Sequence, residues 1–120
     1  MGERVAIVGS RDWEDHQMVR DYVYSLDEDD TVVSGGARGV DQWAQIYAEE
    51  RGLKTLIFPA DWDTHGKKAG HLRNHDIVEN CDRLVAFWNG SSPGTKHSSE
   101  LARKTGKPAL ILLPGGELPG

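Results

Sequence analysis

Short apolar runs in this chain alternate with segments in which apolar residues recur every three or four positions. The runs predict buried β-strands at residues 4–8, 31–34, 54–58, 83–88 and 108–113. The three-to-four spacing predicts helices at residues 18–26, 40–51 and 71–81, and a further helix that ends near residue 105. This alternation favours an α/β fold, with a five-stranded parallel sheet in the order 3-2-1-4-5 and helices on both faces.

The predicted strand order brings three loops rich in small polar residues to one edge of the sheet. They are residues 9–11, 34–39 and 89–95, and each follows the carboxyl end of a strand. In open parallel sheets, ligands bind at the carboxyl ends of the strands where the chain reverses direction across the sheet, here between strands 1 and 4. We therefore expect a single ligand site at this edge.

Length and charge limit the classes of protein that fit. The chain has 120 residues, one cysteine and a formal net charge of −5. We expect one domain over residues 1–114 and a flexible tail over residues 115–120. The net charge argues against broad, charge-driven binding to duplex DNA or to an anionic membrane. The single cysteine and the lack of a long apolar segment favour a cytoplasmic protein, in the host cytoplasm if a phage encodes it.

The segment that joins the second strand to the second helix is rich in glycine, and we call residues 34–39 the glycine turn. Its candidate ligand-binding residues are Ser34, Gly35, Gly36, Arg38 and Gly39. Glycines lack the Cβ atom that keeps a ligand from the backbone, and the N-terminus of the following helix favours an anion. Since a guanidinium in the turn can bond phosphate at two points, this segment predicts a phosphate site. The same glycines would also suit a tight connection that binds no ligand.

Further candidates lie in the other loops and in the third helix. These ligand-binding candidates are Gly9, Ser10, Arg11, Arg73, Asn74, Asn89, Gly90, Ser91, Gly94 and Thr95. Residues 60–70 have no apolar period and predict a long irregular loop, a kind of segment that is often functional. Two tryptophans, Trp13 and Trp62, are candidates for stacking on a base.

Four histidines raise the question of a metal site, and they are His65, His71, His75 and His97. His71 and His75 share the spacing of a zincin helix, but Leu72 stands where that motif has glutamate. No cysteine pair accompanies them. We expect neither a bound metal nor a resident cofactor.

Gly9-Ser10-Arg11, the segment from Ser34 to Asp41, Arg73-Asn74 and Gly94-Thr95 together carry a resemblance to a known group of proteins. They resemble the SLOG superfamily, which joins the Smf/DprA proteins of DNA processing with the LOG, lysine-decarboxylase-like, proteins. Within it the chain is most similar to the small single-domain YspA-like group of bacteria and phages. The resemblance implies a Rossmann-like three-layer sandwich and a nucleotide or nucleotide-derived ligand such as ADP-ribose.

The LOG branch implies hydrolysis of the N-glycosidic bond of a nucleoside 5′-monophosphate, with a catalytic arginine and glutamate. Arg73 matches the arginine, but Ser98 stands at the position of the glutamate and Glu100 lies two residues further on. The catalytic candidates are therefore Arg73 and, because this cleavage needs a carboxylate, Asp41 and Glu100.

The DprA branch implies binding of single-stranded DNA, a mode that requires a basic groove with aromatic platforms. The acidic net charge disfavours it here. The leading prediction is a protein that binds a small nucleotide-like, phosphate-containing ligand. N-glycosidic hydrolysis and binding of single-stranded nucleic acid are the alternatives, and the LOG relatives imply a homodimer.

Overall fold

A five-stranded, all-parallel sheet forms the centre of the structure, a computed structural model that describes residues 2–116. The strands are β1 (Arg4–Gly9), β2 (Thr31–Ser34), β3 (Lys54–Ile57), β4 (Arg83–Phe87) and β5 (Ala109–Leu112). They lie in the order β3-β2-β1-β4-β5, and every neighbouring pair is parallel. The predicted sheet and strand order are confirmed.

Helices cover both faces of the sheet. They are α1 (His16–Tyr24), α2 (Val40–Glu50), α3 (Trp62–His65), α4 (Ala69–Glu79) and α5 (Pro93–Lys104). Helices α1 and α2 pack together over one core, whereas α4 and α5 pack together over the other. This three-layer arrangement confirms the predicted Rossmann-like α/β fold.

Consecutive residues of the central strand β1 serve opposite cores. Val5 and Ile7 join the core beneath α1 and α2, whereas Ala6 and Val8 join the core beneath α4 and α5. Since successive strand residues point to opposite faces, a strand that is buried on both sides must be apolar throughout. This requirement explains why the strands were visible as continuous apolar runs.

The predicted irregular loop over residues 60–70 is wrong, because this segment is largely helical. It contains α3, a 3₁₀ turn at Gly66–Lys68 and the start of α4. Asp61 caps α3 by accepting a hydrogen bond from the backbone N–H of Thr64 at 3.2 Å. An apolar period was missing because α3 and the 3₁₀ turn contain no buried residue.

Two further expectations need correction or remain outside the structure. The apolar spacing within residues 71–81 predicts Leu72 on the buried side of that helix with Ile77, but Leu72 is 43% exposed. It lies five positions before Ile77, and residues five apart do not share a helix face as residues three or four apart do. Of the predicted tail over residues 115–120, residues 115 and 116 belong to a 3₁₀ turn at Pro114–Gly116, and residues 117–120 lie outside the described residues. Within residues 2–116, no helix is long and apolar enough to span a membrane.

Candidate ligand-binding site

A cavity of about 560 Å³ opens at the carboxyl edge of the sheet. Its walls come from the ends of β1 and β4, from α4 and from the start of α5. We call it the edge cavity. Its volume is typical of pockets for small ligands, and its position is the predicted reversal point between β1 and β4.

The structure brings some of the predicted binding residues to the edge cavity and leaves others away from it. Those that line it are Gly9, Arg11, Arg73, Asn74, Asn89, Ser91, Gly94 and Thr95. Those outside its lining are Ser10, Ser34, Gly35, Gly36, Arg38, Gly39 and Gly90. None of the candidates in the glycine turn lines the cavity, although Ala37 of that turn does. Most candidates of residues 89–95, which we call the serine loop, line it.

The glycine turn already holds an anion, which is the side chain of Asp41. Oδ2 of Asp41 accepts hydrogen bonds from the backbone N–H of Gly35 at 3.2 Å and of Ala37 at 3.4 Å. Asp41 lies in the first turn of α2 and is buried. These amides are therefore not free for the predicted phosphate, because an internal carboxylate occupies the positive end of α2.

Protein atoms also fill the space that the glycines were expected to leave for a ligand. A Cβ atom on Gly35 would lie 2.8 Å from Cδ of Arg73. On Gly39, at φ +83°, it would lie 2.7 Å from the carbonyl oxygens of Ser10 and Arg11. Internal packing thus requires glycine at both positions, which favours the interpretation of a tight connection.

The arginines that reach the edge cavity are Arg11 and Arg73, whereas Arg38 is exposed and lies outside the lining. Nη1 of Arg73 donates to the carbonyl oxygen of Gly35 at 2.9 Å. Burial lowers the pKa of Arg73; the carboxylate of Asp41 opposes that shift and Arg11 adds to it. Because an arginine keeps its charge in proteins, the cavity wall carries two guanidinium cations.

The carboxyl of Asp41, which also lines the edge cavity, is strongly affected by its surroundings. Burial raises its pKa to about 6. Arg73 is the main opposing influence, followed by the backbone N–H groups of Ala37, Gly35 and Gly9. A group that titrates near neutral pH at the wall of a cavity is characteristic of functional sites.

Two candidate serines are structural. Oγ of Ser34 donates to the carbonyl oxygen of Ile7 at 2.6 Å, and so links β2 to β1. Oγ of Ser10 accepts from the backbone N–H of Asn89 at 3.1 Å. Both serines are fully buried, and their hydroxyl groups hold the strands and loops together instead of facing a ligand.

The serine loop leaves the start of α5 open to the edge cavity. Oδ1 of Asn89 accepts from the backbone N–H of Ser91 and of Ser92, both at 2.9 Å, which fixes the loop. The first turn of α5, Pro93-Gly94-Thr95-Lys96, contains no acidic residue. Among the described residues, nothing lies within 4 Å of a Cβ atom built on Gly94. The positive end of this helix therefore faces free space.

The two candidate tryptophans have different roles. Trp13 is 4% exposed and contacts Phe87 edge-on, with ring centroids 5.6 Å apart. It belongs to the core beneath α1 and α2, so its predicted stacking role is wrong. Trp62 is 50% exposed and lines the edge cavity, where it could stack on a base.

Sequence reasoning did not assign several polar side chains of the edge cavity to the ligand. Among them, Asp12, Lys67, His71 and Ser98 line the cavity. Lys67 comes from the segment that was predicted to be irregular, and His71 is the first residue of the helix predicted after it. The signal that could have identified Lys67 was the pair of adjacent lysines, Lys67 and Lys68, in the same segment as Trp62. Ser98 bonds the carbonyl oxygen of Gly94 at 3.2 Å.

The catalytic candidates separate as well. Arg73 and Asp41 line the edge cavity, but Glu100 is exposed, lies outside the lining and pairs with Lys96 at 3.9 Å. Glu100 faces away because it is two residues beyond Ser98, a rotation of about 200° around the helix axis. Its candidacy as a catalytic acid is therefore wrong.

Three histidines cluster beside the edge cavity. The ring of His97 lies 4.1 Å from that of His71 and 5.9 Å from that of His75, between ring centroids. Nδ1 of His97 pairs with Nδ2 of Asn74 at 3.0 Å. Partial burial lowers the pKa of His97, and His71 and His75 lower it further. Within residues 2–116, no three side chains form a group that could hold a metal ion.

Comparison with known families and proteins agrees with the motifs. The model of a family described as YspA, cpYpsA-related SLOG matches residues 3–65. The Gene 61 protein of Mycobacterium phage D29 is 40% identical over 121 residues, which cover 89% of this chain and 94% of that protein. A phage relative fits the expected occurrence of the group in bacteria and phages.

Two solved structures share the fold. The X-ray structure of DNA processing protein A (DprA) from Streptococcus pneumoniae has a TM-score of 0.78 and 23% identity, over 98% of this chain and 50% of that chain. DNA processing protein A from Helicobacter pylori, described in a single-stranded DNA binding mode, has a TM-score of 0.69 and 24% identity, over 92% of this chain and 65% of that chain. The chain thus spans between half and two thirds of these proteins, and at such identities the likeness concerns the fold alone.

Proposed function

This chain belongs to the YspA, cpYpsA-related SLOG family, and from that membership and the edge cavity we propose that it binds a nucleotide-derived, phosphate-containing small ligand. The observation that carries the proposal is the meeting of Arg11, Arg73 and the open start of α5 around one cavity. An anion placed there would meet two guanidinium groups and the positive end of a helix.

The polar groups around this anion position suit a phosphate attached to a sugar. Thr95 and Ser92 bring hydroxyl groups that pair with each other at 3.2 Å. Gly94 and Thr95 supply backbone N–H groups at the start of α5. We therefore place the phosphate at α5 and not in the glycine turn, where Asp41 is already bound.

The edge cavity also offers a place for a base. Trp62 is 50% exposed and lines the cavity, as do Lys67 and His71. The carboxylate of Asp12 lines the cavity as well and could accept a hydrogen bond from a sugar hydroxyl or an exocyclic amine. Trp62 thus supports a ligand with an aromatic base.

Binding of single-stranded nucleic acid is a second candidate function. It is favoured by the exposed Trp62 next to Lys67 and Lys68, since aromatic platforms beside cations are typical of single-strand sites. The net charge of −5 argues against a long basic groove that follows the backbone of a nucleic acid. A strand of several nucleotides would therefore contact the protein mainly at this rim.

A panel of ligands tests these functions by thermal shift, because a ligand that binds the native state raises its apparent stability. The panel contains adenosine mono- and diphosphate, ADP-ribose, inorganic phosphate and a short single-stranded oligonucleotide. We expect a shift with a nucleotide-derived ligand that Arg73→Ala abolishes and Arg38→Ala preserves, since Arg73 lines the edge cavity and Arg38 does not.

The other outcomes separate the alternatives. A shift with the oligonucleotide and with none of the small ligands would favour the nucleic-acid function. Release of a free base during incubation would establish N-glycosidic hydrolysis, for which Asp41 and Asp12 are the carboxylates in the cavity lining. Equal loss of the shift in Arg38→Ala and Arg73→Ala would contradict the assignment of the phosphate to α5.

A further inference from the structure

Asp41 and Arg73 form hydrogen bonds with the two backbone polar groups of Gly35. The backbone N–H of Gly35 donates to Oδ2 of Asp41 at 3.2 Å, and its carbonyl oxygen accepts from Nη1 of Arg73 at 2.9 Å. A Cβ atom on Gly35 would lie 2.9 Å from Oδ2 of Asp41 and closer still to Nη1 of Arg73. The missing side chain of Gly35 therefore lets a carboxylate of α2 approach a guanidinium of α4.

This contact leaves most of the guanidinium available. An arginine has five N–H donors. Within residues 2–116, Arg73 uses Nη1 for the bond to Gly35, and its side chain lines the edge cavity. The remaining donors are thus free to meet an anion there. The bond to Gly35 determines where the guanidinium stands.

The charge of Asp41 is part of the same arrangement. Its carboxylate is buried, lines the edge cavity and interacts electrostatically with Arg73. In a poorly solvated site, a carboxylate strengthens the hold on a nearby guanidinium and repels an incoming anion. The negative charge of Asp41 therefore competes with the ligand for Arg73.

We propose that Asp41 is a positioning residue, which holds the glycine turn so that Arg73 points into the edge cavity and which tunes the affinity of that site for anions through its own charge. The inference rests on the proposed function, because it concerns the anion of that ligand. The carboxyl as a hydrogen-bond acceptor fixes the turn, and its ionisation weakens the attraction of Arg73 for the ligand.

The direction of the pH dependence follows from the groups that face Asp41. They are Arg73 from α4 and the backbone N–H groups of the turn and of Gly9. Because burial raises the pKa of Asp41 to about 6, the carboxyl becomes neutral as pH falls through that value. Anion affinity should then rise on the order of tenfold between pH 7.5 and pH 5.

Other charged groups at the edge cavity must be separated from this effect. Arg11, Lys67 and Asp12 line the cavity beside Asp41. His71 also lines the cavity, and its imidazole is an ionisable group. The comparison is therefore repeated in a His71→Gln background.

Sulfate is the probe, because its charge does not change between pH 5 and pH 8. Its dissociation constant is measured by NMR at several pH values and constant ionic strength, for the wild type and for Asp41→Asn. We expect the wild type to bind sulfate more tightly as pH falls, and Asp41→Asn to bind it tightly with little pH dependence. The asparagine keeps an acceptor for Gly35 but carries no charge.

Asp41→Ala completes the series, because it removes both the charge and the acceptor. We expect weaker binding than in Asp41→Asn at every pH, since nothing then holds the turn beneath Arg73. A purely electrostatic role would make the alanine and asparagine variants equal. A purely structural role would leave the wild-type pH profile in place in Asp41→Asn, and either result would overturn the proposal.

A second readout needs no ligand. The Nε–Hε resonance of Arg73 in the free protein should shift with pH, with a midpoint near 6 in the wild type, and should lose this transition in Asp41→Asn. A resonance that does not respond to pH in the wild type would refute the coupling. If the resonance titrates as expected but no anion binds at any pH, the coupling stands and the proposed binding function fails.

Discussion

The glycine turn and the serine loop flank β1 at the same edge of the sheet, and each joins a strand to the start of a helix. In the glycine turn, the start of α2 is occupied by Asp41, and protein atoms crowd Gly35 and Gly39. In the serine loop, the start of α5 faces the edge cavity, and the space beside Gly90 and Gly94 is open. Glycines at similar places in a fold thus serve opposite purposes.

A glycine-rich loop at a helix start binds a ligand only if the protein leaves its backbone N–H groups unpaired. An anion site at a helix start needs unpaired N–H groups. A carboxylate in the first turn of the same helix, such as Asp41 in α2, can take those groups for itself. The loop without such a residue is the better candidate for the ligand.

The largest expected effect contrasts Gly39→Ala with Gly90→Ala. Both glycines have positive φ, +83° and +94°, so both variants bear a backbone strain of about 1–3 kcal/mol. At Gly39 the new Cβ atom also meets two backbone carbonyl oxygens, whereas at Gly90 it meets nothing within 4 Å. We expect Gly39→Ala to lower the free energy of unfolding by about 2 kcal/mol more than Gly90→Ala does. Urea unfolding measures the difference, and equal losses would contradict the crowding.

A second pair, Gly35→Ala and Gly94→Ala, should change stability in opposite directions. At Gly35, a methyl group collides with Arg73 and Asp41, which should cost about 1–3 kcal/mol. At Gly94, in the first turn of α5, alanine should stabilise the protein by about 0.5 kcal/mol because it restricts the unfolded chain.

Ligand affinity gives the same pair of variants a further test. Gly35→Ala should weaken binding by displacing Arg73, and Gly94→Ala by placing a methyl group in the edge cavity. Thermal unfolding with and without the nucleotide that binds best measures both properties. Unchanged affinity in Gly94→Ala would show that the phosphate does not lie at the start of α5.

The pH dependence of stability tests the buried carboxylate of the glycine turn. The pKa of Asp41 is raised to about 6 in the folded state, above the value of 3.8 for a free aspartate. Protonation of Asp41 in the folded state therefore stabilises the protein fully below about pH 4, and this stabilisation is lost as pH rises through about 6. The loss amounts to about 3 kcal/mol at most.

Asp41→Asn isolates that contribution, because the asparagine does not titrate. We expect the free energy of unfolding of the wild type to fall between pH 4 and pH 6.5 relative to that of Asp41→Asn. Urea unfolding at matched pH values measures both proteins. Parallel curves would mean that Asp41 keeps its ordinary pKa.

The smallest effect concerns the histidines beside the serine loop. Burial first, and then His71, lowers the pKa of His97. His71→Gln should therefore raise the pKa of His97. Titration of the His97 ring resonances measures it. His65→Gln, whose residue lies in α3, serves as the control and should leave this value unchanged.

Much of the site's location followed from local pattern. The strands were readable because a parallel sheet buries both faces, and the strand order then placed the loops of residues 9–11 and 89–95 at one edge. Arg73 and Asn74 were visible only as a pair near the start of a helix. Homodimer formation, implied by resemblance to LOG proteins, stays a prediction, as does the identity of the ligand.

The role of each individual side chain in the site was less predictable, because it depends on contacts with residues that are distant in the chain. Trp13 and Trp62 had the same standing as stacking candidates until packing placed one in the core and the other at the cavity. Arg38 belongs to the glycine-rich motif but lies outside the cavity lining, whereas Arg73, on α4, lines the cavity.

The α/β fold, the order of the strands and the edge of the sheet where the cavity lies were all predictable from the sequence. These depend on hydrophobic period and chain connectivity, which are properties of neighbouring residues. Only the tertiary structure decided which helix start is free. That outcome depends on whether the N–H groups of Gly35 and Ala37 meet the carboxylate of Asp41 or a ligand, and on Arg73, which lies 38 positions beyond Gly35 and reaches it through space.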